Sequence, residues 1–173
     1  MRRDWKRSVG LAKIRPQWAF ALRAVPYRKT FTTDFFMELT GASRGTARDV
    51  LRSYQRSKFC MPGSKAGTWI KLVQPVPLAS QIIAIEAKLV HWQRALAQAY
   101  RYLDYATESW VLLDAGRANG AIRSLKTFRR LNVGLMTLSP NSQPKPIYTP
   151  KKQKPKSPIR YWHVLSALGR RGL

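Results

Sequence analysis

The sequence predicts a mixed α+β and α/β chain: a basic, helix-rich first part closed by a β-hairpin, then a small layer of strands and helices. Three observations carry that reading. Residues 44–58 place Ala47, Val50, Leu51 and Tyr54 at i, i+3, i+4 and i+7, the spacing of a buried helical stripe. Gly63 and Gly67 bound a short turn between two apolar runs, the signature of a hairpin. From Gln81 to Ser139 the pattern runs strand, helix, strand, helix, strand, which predicts an α/β layer with a partly parallel sheet.

By texture the chain divides into residues 1–75, residues 76–139, a Pro- and Lys-rich linker over 140–158, and a C-terminal helix over 159–173. A helix near Gln17–Val25 ends at Pro26, whose ring cannot continue it. Thr32 or Thr33 offers an N-cap to a second helix, Asp34–Leu39, with Asp34 in the first turn, where negative charge suits the dipole, and apolar Phe35, Phe36 and Leu39. Gly41 closes that helix because it tolerates positive φ. Ser43 caps the third helix, Arg44 to about Lys58, on which Arg44, Arg48, Arg52 and Arg56 recur every fourth residue beside the apolar stripe. Phe59–Pro62 and Thr68–Val73 are the expected hairpin strands.

Next, QIIAIEAKL over Gln81–Leu89 reads as a strand with Glu86 and Lys88 on one face. His91–Ala106 is amphipathic, with Gln98 and Tyr102 one turn apart on its shoulder. Glu108–Asp114 is a second strand, Ala118–Arg130 a helix and Val133–Ser139 a third strand. The 140–158 stretch, with KPIYTPKKQKPKSP, is expected to be extended and mobile, as a spacer or a phosphate-tracking arm. Ile159–Leu168 is apolar enough to pack back on the domain or on a partner.

Charge sets the partner. There are 32 Lys and Arg against 8 Asp and Glu, a formal net charge of +24, so the chain calls for a polyanion. No apolar run approaches the ~18–20 residues that span a bilayer, and Met1–Lys13 is basic without the apolar block of a secretory signal. Nucleic acid is therefore the expected partner, with no membrane association and a cytoplasmic location. A protein partner or a homodimer also fits. One Cys and two separated His make a structural zinc site improbable.

The run FTTDFFMELTGASRGTARDVLRSYQRSKF, followed by the Gly-bounded turn and GTWIKL, resembles the winged helix-turn-helix family over Thr30–Val73. That resemblance implies double-stranded DNA as the partner and a nucleoid-associated place, with a second helix lying in the major groove and a hairpin wing beside it. Ser43, Arg44, Thr46, Arg48, Arg52, Arg56 and Lys65 become candidate DNA contacts. Glu86-Ala87-Lys88, followed by Gln98 and Tyr102 spaced Q-x-x-x-Y, resembles the PD-(D/E)XK nuclease superfamily, in its branch related to RecB-type nucleases, over about Leu78–Ser139. This second resemblance implies a restriction-endonuclease-like mixed sheet with flanking helices. It implies Glu86 as ligand to Mg2+, Lys88 as base or electrostatic stabiliser, and Gln98 and Tyr102 as orienting groups. The family's acidic residue on the preceding strand is missing, since no Asp or Glu lies between Asp49 and Glu86. Glu38, Asp49 or Asp114 are the substitutes the chain offers. Arg94, Tyr100, Arg101 and Arg123 are candidates for a basic surface.

Three functions stay open at this point. The first is a DNA-binding protein, regulatory or part of a DNA-processing assembly, whose nuclease-like part is weak or silent and needs no cofactor. The second is an active Mg2+-dependent endonuclease or nickase. The third is an RNA-binding protein.

Overall fold

The computed structural model describes residues 10–171. Residues 1–9 and 172–173 lie outside it, and with them most of the basic stretch Met1–Lys13 and the end of the 159–173 region. The chain is mixed α and β, with two sheets. It divides into two units, one formed by the residues up to Ser80 together with those from Trp162, the other by Gln81–Tyr161.

In the first unit the order is α1 (Pro16–Ala24), β1 (Thr30–Thr32), α2 (Thr33–Thr40), α3 (Arg44–Arg56), β2 (Cys60–Pro62) and β3 (Thr68–Lys71). Local chemistry sets the helix ends. Thr32 accepts the Phe35 N–H at 3.0 Å, and Gly41, at φ 70°, ends α2 in the left-handed region with its N–H on the Met37 carbonyl. Ser43 accepts the Thr46 N–H and so caps α3. Ala47, Val50, Leu51 and Tyr54 are all buried, as their spacing requires. The Tyr54 hydroxyl donates to the Trp18 carbonyl at 2.7 Å, and its ring meets Phe36 edge-on at 5.9 Å. Of the three apolar residues marked on α2, Phe36 is buried, whereas Phe35 and Leu39 remain exposed.

The hairpin strands β2 and β3 pair antiparallel across the Gly63–Gly67 turn. An unanticipated strand, β1, pairs antiparallel with the other side of β3, so β3 is central. Three residues that end on a helix cap carry too little periodicity to be read as a strand. This sheet shares no strand with the sheet of the second unit. Most of the C-terminal helix, Pro158–Arg170, belongs to the first unit. It buries Trp162 and Leu165, and its Ser166 hydroxyl lies 2.6 Å from the Ile14 carbonyl.

Central strand β3 carries a fully buried lysine. The Lys71 ammonium donates to the carbonyls of Leu22 and Arg23 in the last turn of α1, both at 3.2 Å. A cation there meets the negative end of the helix dipole. Burial, with a smaller push from Arg23, still lowers its pKa from 10.5 to about 8. Opposite it in register is Cys60, whose thiol burial raises from 9.0 to about 12.

In the second unit the order is β4 (Ile83–Lys88), α4 (Trp92–Tyr102), β5 (Glu108–Asp114), a 3-10 turn (Ala115–Arg117), α5 (Asn119–Arg123), α6 (Leu125–Leu131), β6 (Gly134–Leu138) and β7 (Lys145–Tyr148). Strands β4, β5 and β6 are parallel neighbours, and β7 closes the sheet antiparallel to β6. Both crossovers pack on one face. Ala95, Leu96, Ala99 and Leu103 of the first crossover meet Val111 and Leu113 of β5, Leu135 of β6, and Ala121 and Phe128 of the second. On the other face Trp110 lies against Gly134, where a Cβ would collide with its ring and with Pro150, while Ile83 and Ile85 are more than half exposed.

Two expectations need correction. The helix read as continuous over Ala118–Arg130 breaks at Ser124, a weak helix former that leaves helical dihedrals at φ −95°, ψ 19°. Residues 140–158 are not a free linker. They supply β7, and beyond it Asn132 binds Lys151 through both its N–H and its carbonyl, at 2.8 Å each. Lysine and proline suggested a linker, yet both suit an edge strand, which needs no N–H on its outer side and resists further pairing.

The buried Lys71–Cys60 pair sets an expected pH dependence. Between about pH 8 and 10.5 the unfolded chain keeps the Lys71 proton that the folded chain has released, so stability rises with pH. Above about pH 9 the unfolded chain loses the Cys60 proton that the folded chain keeps, which opposes the rise. The urea midpoint of the full chain should climb from pH 8 to 9 and then level off. In Cys60→Ala it should keep climbing towards pH 10. A midpoint flat from pH 8 to 9 in both proteins would remove the buried ammonium from the account.

Candidate functional site

Two groups of side chains stand out, one in each unit. In the first unit α3 presents Arg48, Arg52 and Arg56 to solvent, opposite the stripe that buries Ala47, Val50, Leu51 and Tyr54. None of the three arginines makes an ion pair among the described residues. Arg44, at the head of the row, differs, since it pairs with Asp34 at 2.7 Å, and both side chains are exposed. Such a surface pair holds the guanidinium weakly. Ser43 is occupied twice, accepting the Thr46 N–H and donating to the Thr46 hydroxyl at 3.0 Å. Lys65 sits exposed in the β2–β3 turn.

Three of the four nuclease-motif residues come together in the second unit. Glu86 is buried on β4, with its side chain on the face that α4 covers. One carboxylate oxygen accepts the Tyr102 hydroxyl at 2.5 Å, and the other lies 3.0 Å from the Lys88 ammonium. The strand period of two brings Lys88 to Glu86, and α4 delivers Tyr102. The Tyr102 hydrogen bond, followed by the Lys88 and Arg101 charges, holds the Glu86 carboxyl below its ordinary range against the opposing effect of burial. The same hydrogen bond, with burial, pushes Tyr102 up to about 12. At neutral pH Glu86 is therefore a carboxylate and Tyr102 a protonated phenol. Gln98 does not join it, and its side-chain oxygen is buried with no hydrogen-bond partner among the described residues.

A hard divalent cation takes about six oxygen ligands, several of them anionic when the protein alone holds it. Glu86 offers one carboxylate with both oxygens engaged. Among the described residues no group of three His, Cys, Asp or Glu stands close enough to hold a metal. Asp114, the carboxylate offered from the neighbouring strand, shares with Lys88 the lining of a pocket of about 230 Å3 at the carboxyl ends of β4 and β5, among leucines. The residues present do not fit a resident Mg2+. His91, exposed in the left-handed region at the start of α4, makes no side-chain cap and adds no ligand.

The sequence missed the segment that follows β7. Gln153 N–H donates to the Thr107 carbonyl, Lys156 N–H to Leu103 and Ser157 N–H to Asp104. Its prolines concealed that order, because they mark extended chain whether it is free or docked.

Comparison of the chain with protein-family models, with curated proteins and with solved structures returned no match. Among the described residues no helix is long and apolar enough to cross a membrane.

Glu86 and Tyr102 thus fasten α4 to β4, and Tyr102→Phe measures that bond. A hydrogen bond to a charged group contributes about 1.5–3 kcal/mol, so urea denaturation at pH 7 should show a loss of that size. Because the folded pKa of Glu86 is the lowered one, the difference between the two proteins should be full at neutral pH. It should shrink as the pH falls below 4.5. Equal stability at pH 7 would leave the contact without a structural role.

Proposed function

We propose that the protein binds duplex DNA, with α3 entering the major groove as the second helix of a winged helix-turn-helix and the β2–β3 turn serving as the wing. The observation that carries this reading is the set of Arg48, Arg52 and Arg56, exposed and without an ion pair among the described residues, along one side of a helix whose other side is buried. Thirteen residues give a rod of about 20 Å, on a groove about 12 Å wide. Guanidinium groups read guanine edges and clamp phosphates, and an excess of 32 cations over 8 anions supplies the non-specific attraction. Gly63 and Gly67 bring Lys65 to the tip of the hairpin, where a wing meets the backbone.

The second unit, on this reading, is a PD-(D/E)XK-like layer that has kept Glu86, Lys88 and Tyr102 as a structural pin and no longer cleaves. Bound to DNA, the protein would act on the nucleoid as a regulator or as the recognition subunit of a DNA-processing assembly.

Two experiments test the two halves of the reading. Changing Arg48 and Arg52 to Ala should weaken duplex binding. It should also flatten the log–log dependence of affinity on salt by about 2, since each phosphate contact contributes about 0.9. Unchanged binding at low salt, or a preference for structured RNA in competition, would overturn the DNA reading. For the second unit, purified protein with Mg2+ or Mn2+ should leave supercoiled plasmid intact. Nicking that disappears in Glu86→Ala would instead establish a working nuclease.

A further inference from the structure

We propose that the segment from Lys151 to Ser157 is a second, preformed phosphate-tracking surface, through which the Gln81–Tyr161 unit binds a nucleic-acid strand independently of α3. This goes beyond the assignment of α3, and it shares with that assignment only the class of partner. The segment runs across its own unit outside helix and strand, with a bend at Lys156, and is fixed at four places. Asn132, the left-handed C-cap of α6, grips Lys151 from both sides and also donates to the Gln153 side chain at 2.9 Å. Further along, the N–H groups of Gln153, Lys156 and Ser157 donate to the carbonyls of Thr107, Leu103 and Asp104.

That anchoring sorts the side chains by the period of two of an extended chain. Gln153, Pro155 and Ser157 are half-buried against the unit, and Lys152, Lys154 and Lys156 are exposed. Ahead of the bend, residues two apart such as Lys152 and Lys154 recur about every 6.6–7 Å along extended backbone. That interval is comparable to the separation of neighbouring phosphates along one strand. None of these lysines makes an ion pair among the described residues, and the nearby Asp104 is already taken by Arg160 at 2.6 Å. Lys156 is held over the face of Tyr100, its ammonium 3.5 Å from the ring centroid. A lysine row on a mobile tail would lose chain entropy when it bound. Here the backbone is already in place, so the lysines meet the strand at lower cost.

The test uses the full-length protein as wild type, Lys152→Gln/Lys154→Gln, Arg48→Ala/Arg52→Ala and the combination. Each is titrated onto labelled duplex and single-stranded DNA between about 50 and 200 mM salt, with circular dichroism as the folding control. Both lysines are exposed and unpaired, so the double variant should fold as wild type. The expected result is a salt slope shallower by about 2 on duplex, or by about 1.4 on single strands, in the lysine variant. This loss should persist in the arginine background. If the lysine variant keeps the wild-type slope on both DNAs, the proposal is overturned, whatever the arginine variant does. If the lysine variant loses slope while the arginine variant does not, the strap stands and the α3 reading falls.

Discussion

Carboxylates are scarce in this chain, and that scarcity governs the rest of the structure. The chain has 8 Asp and Glu against 32 Lys and Arg, and four of those acids are tied to neighbouring side chains. Asp34 meets Arg44, Asp104 meets Arg160, Glu86 takes both Tyr102 and Lys88, and Glu108 accepts the Gln81 amide at 2.6 Å. Two consequences follow from the same shortage. Most cations find no internal counter-charge and must face solvent, where they repel one another. And among the described residues no group of three His, Cys, Asp or Glu stands together for a divalent metal, which takes several oxygen ligands at once.

The buried polar groups show how the fold manages charge without acids. Lys71 sits in the interior against two helix-end carbonyls, which supply partial negative charge where a carboxylate would otherwise be expected. Ser166 uses a backbone carbonyl in the same way, and Ser109 donates to the Ala99 carbonyl at 2.7 Å, fastening α4 to β5. Backbone acceptors do the work of missing side-chain anions, at no cost in net charge.

Legibility from sequence followed the range of the interaction. The α3 stripe, the Ser43 and Thr32 caps and the Gly41 stop are set by neighbours a few residues away, and each could be read directly. Strand β5 matched its residue range because Glu108–Asp114 is apolar and bounded by helix patterns on both sides. Strands β1 and β7, the anchored segment after β7 and the return of the C-terminal helix depend on distant partners. Pro146 and Lys145 argue against a strand in isolation, and only the place of β7 at the sheet's edge makes them suitable. At the second site the strand period put Glu86 and Lys88 on one face, while only the nuclease resemblance implied that Tyr102 would join them. Neither could show that Gln98 would stay apart, because one turn of helix leaves the tilt of each side chain undetermined.

The Glu86 cluster carries the argument about catalysis further than composition does. A metal-dependent phosphodiesterase needs its carboxylate free to ligate and its lysine free to approach a water or a phosphate. Here the hydroxyl of Tyr102 and the ammonium of Lys88 each occupy one oxygen of the same carboxylate. Each oxygen keeps a further lone pair, so a cation would have to share Glu86 with the phenol and the ammonium, and the Lys88 charge 3.0 Å away opposes it. The one carboxylate present would then serve the helix–strand contact and the metal together. In a chain with so few acids, the structural use has no substitute, whereas binding to a polyanion can be supplied many times over by lysine and arginine.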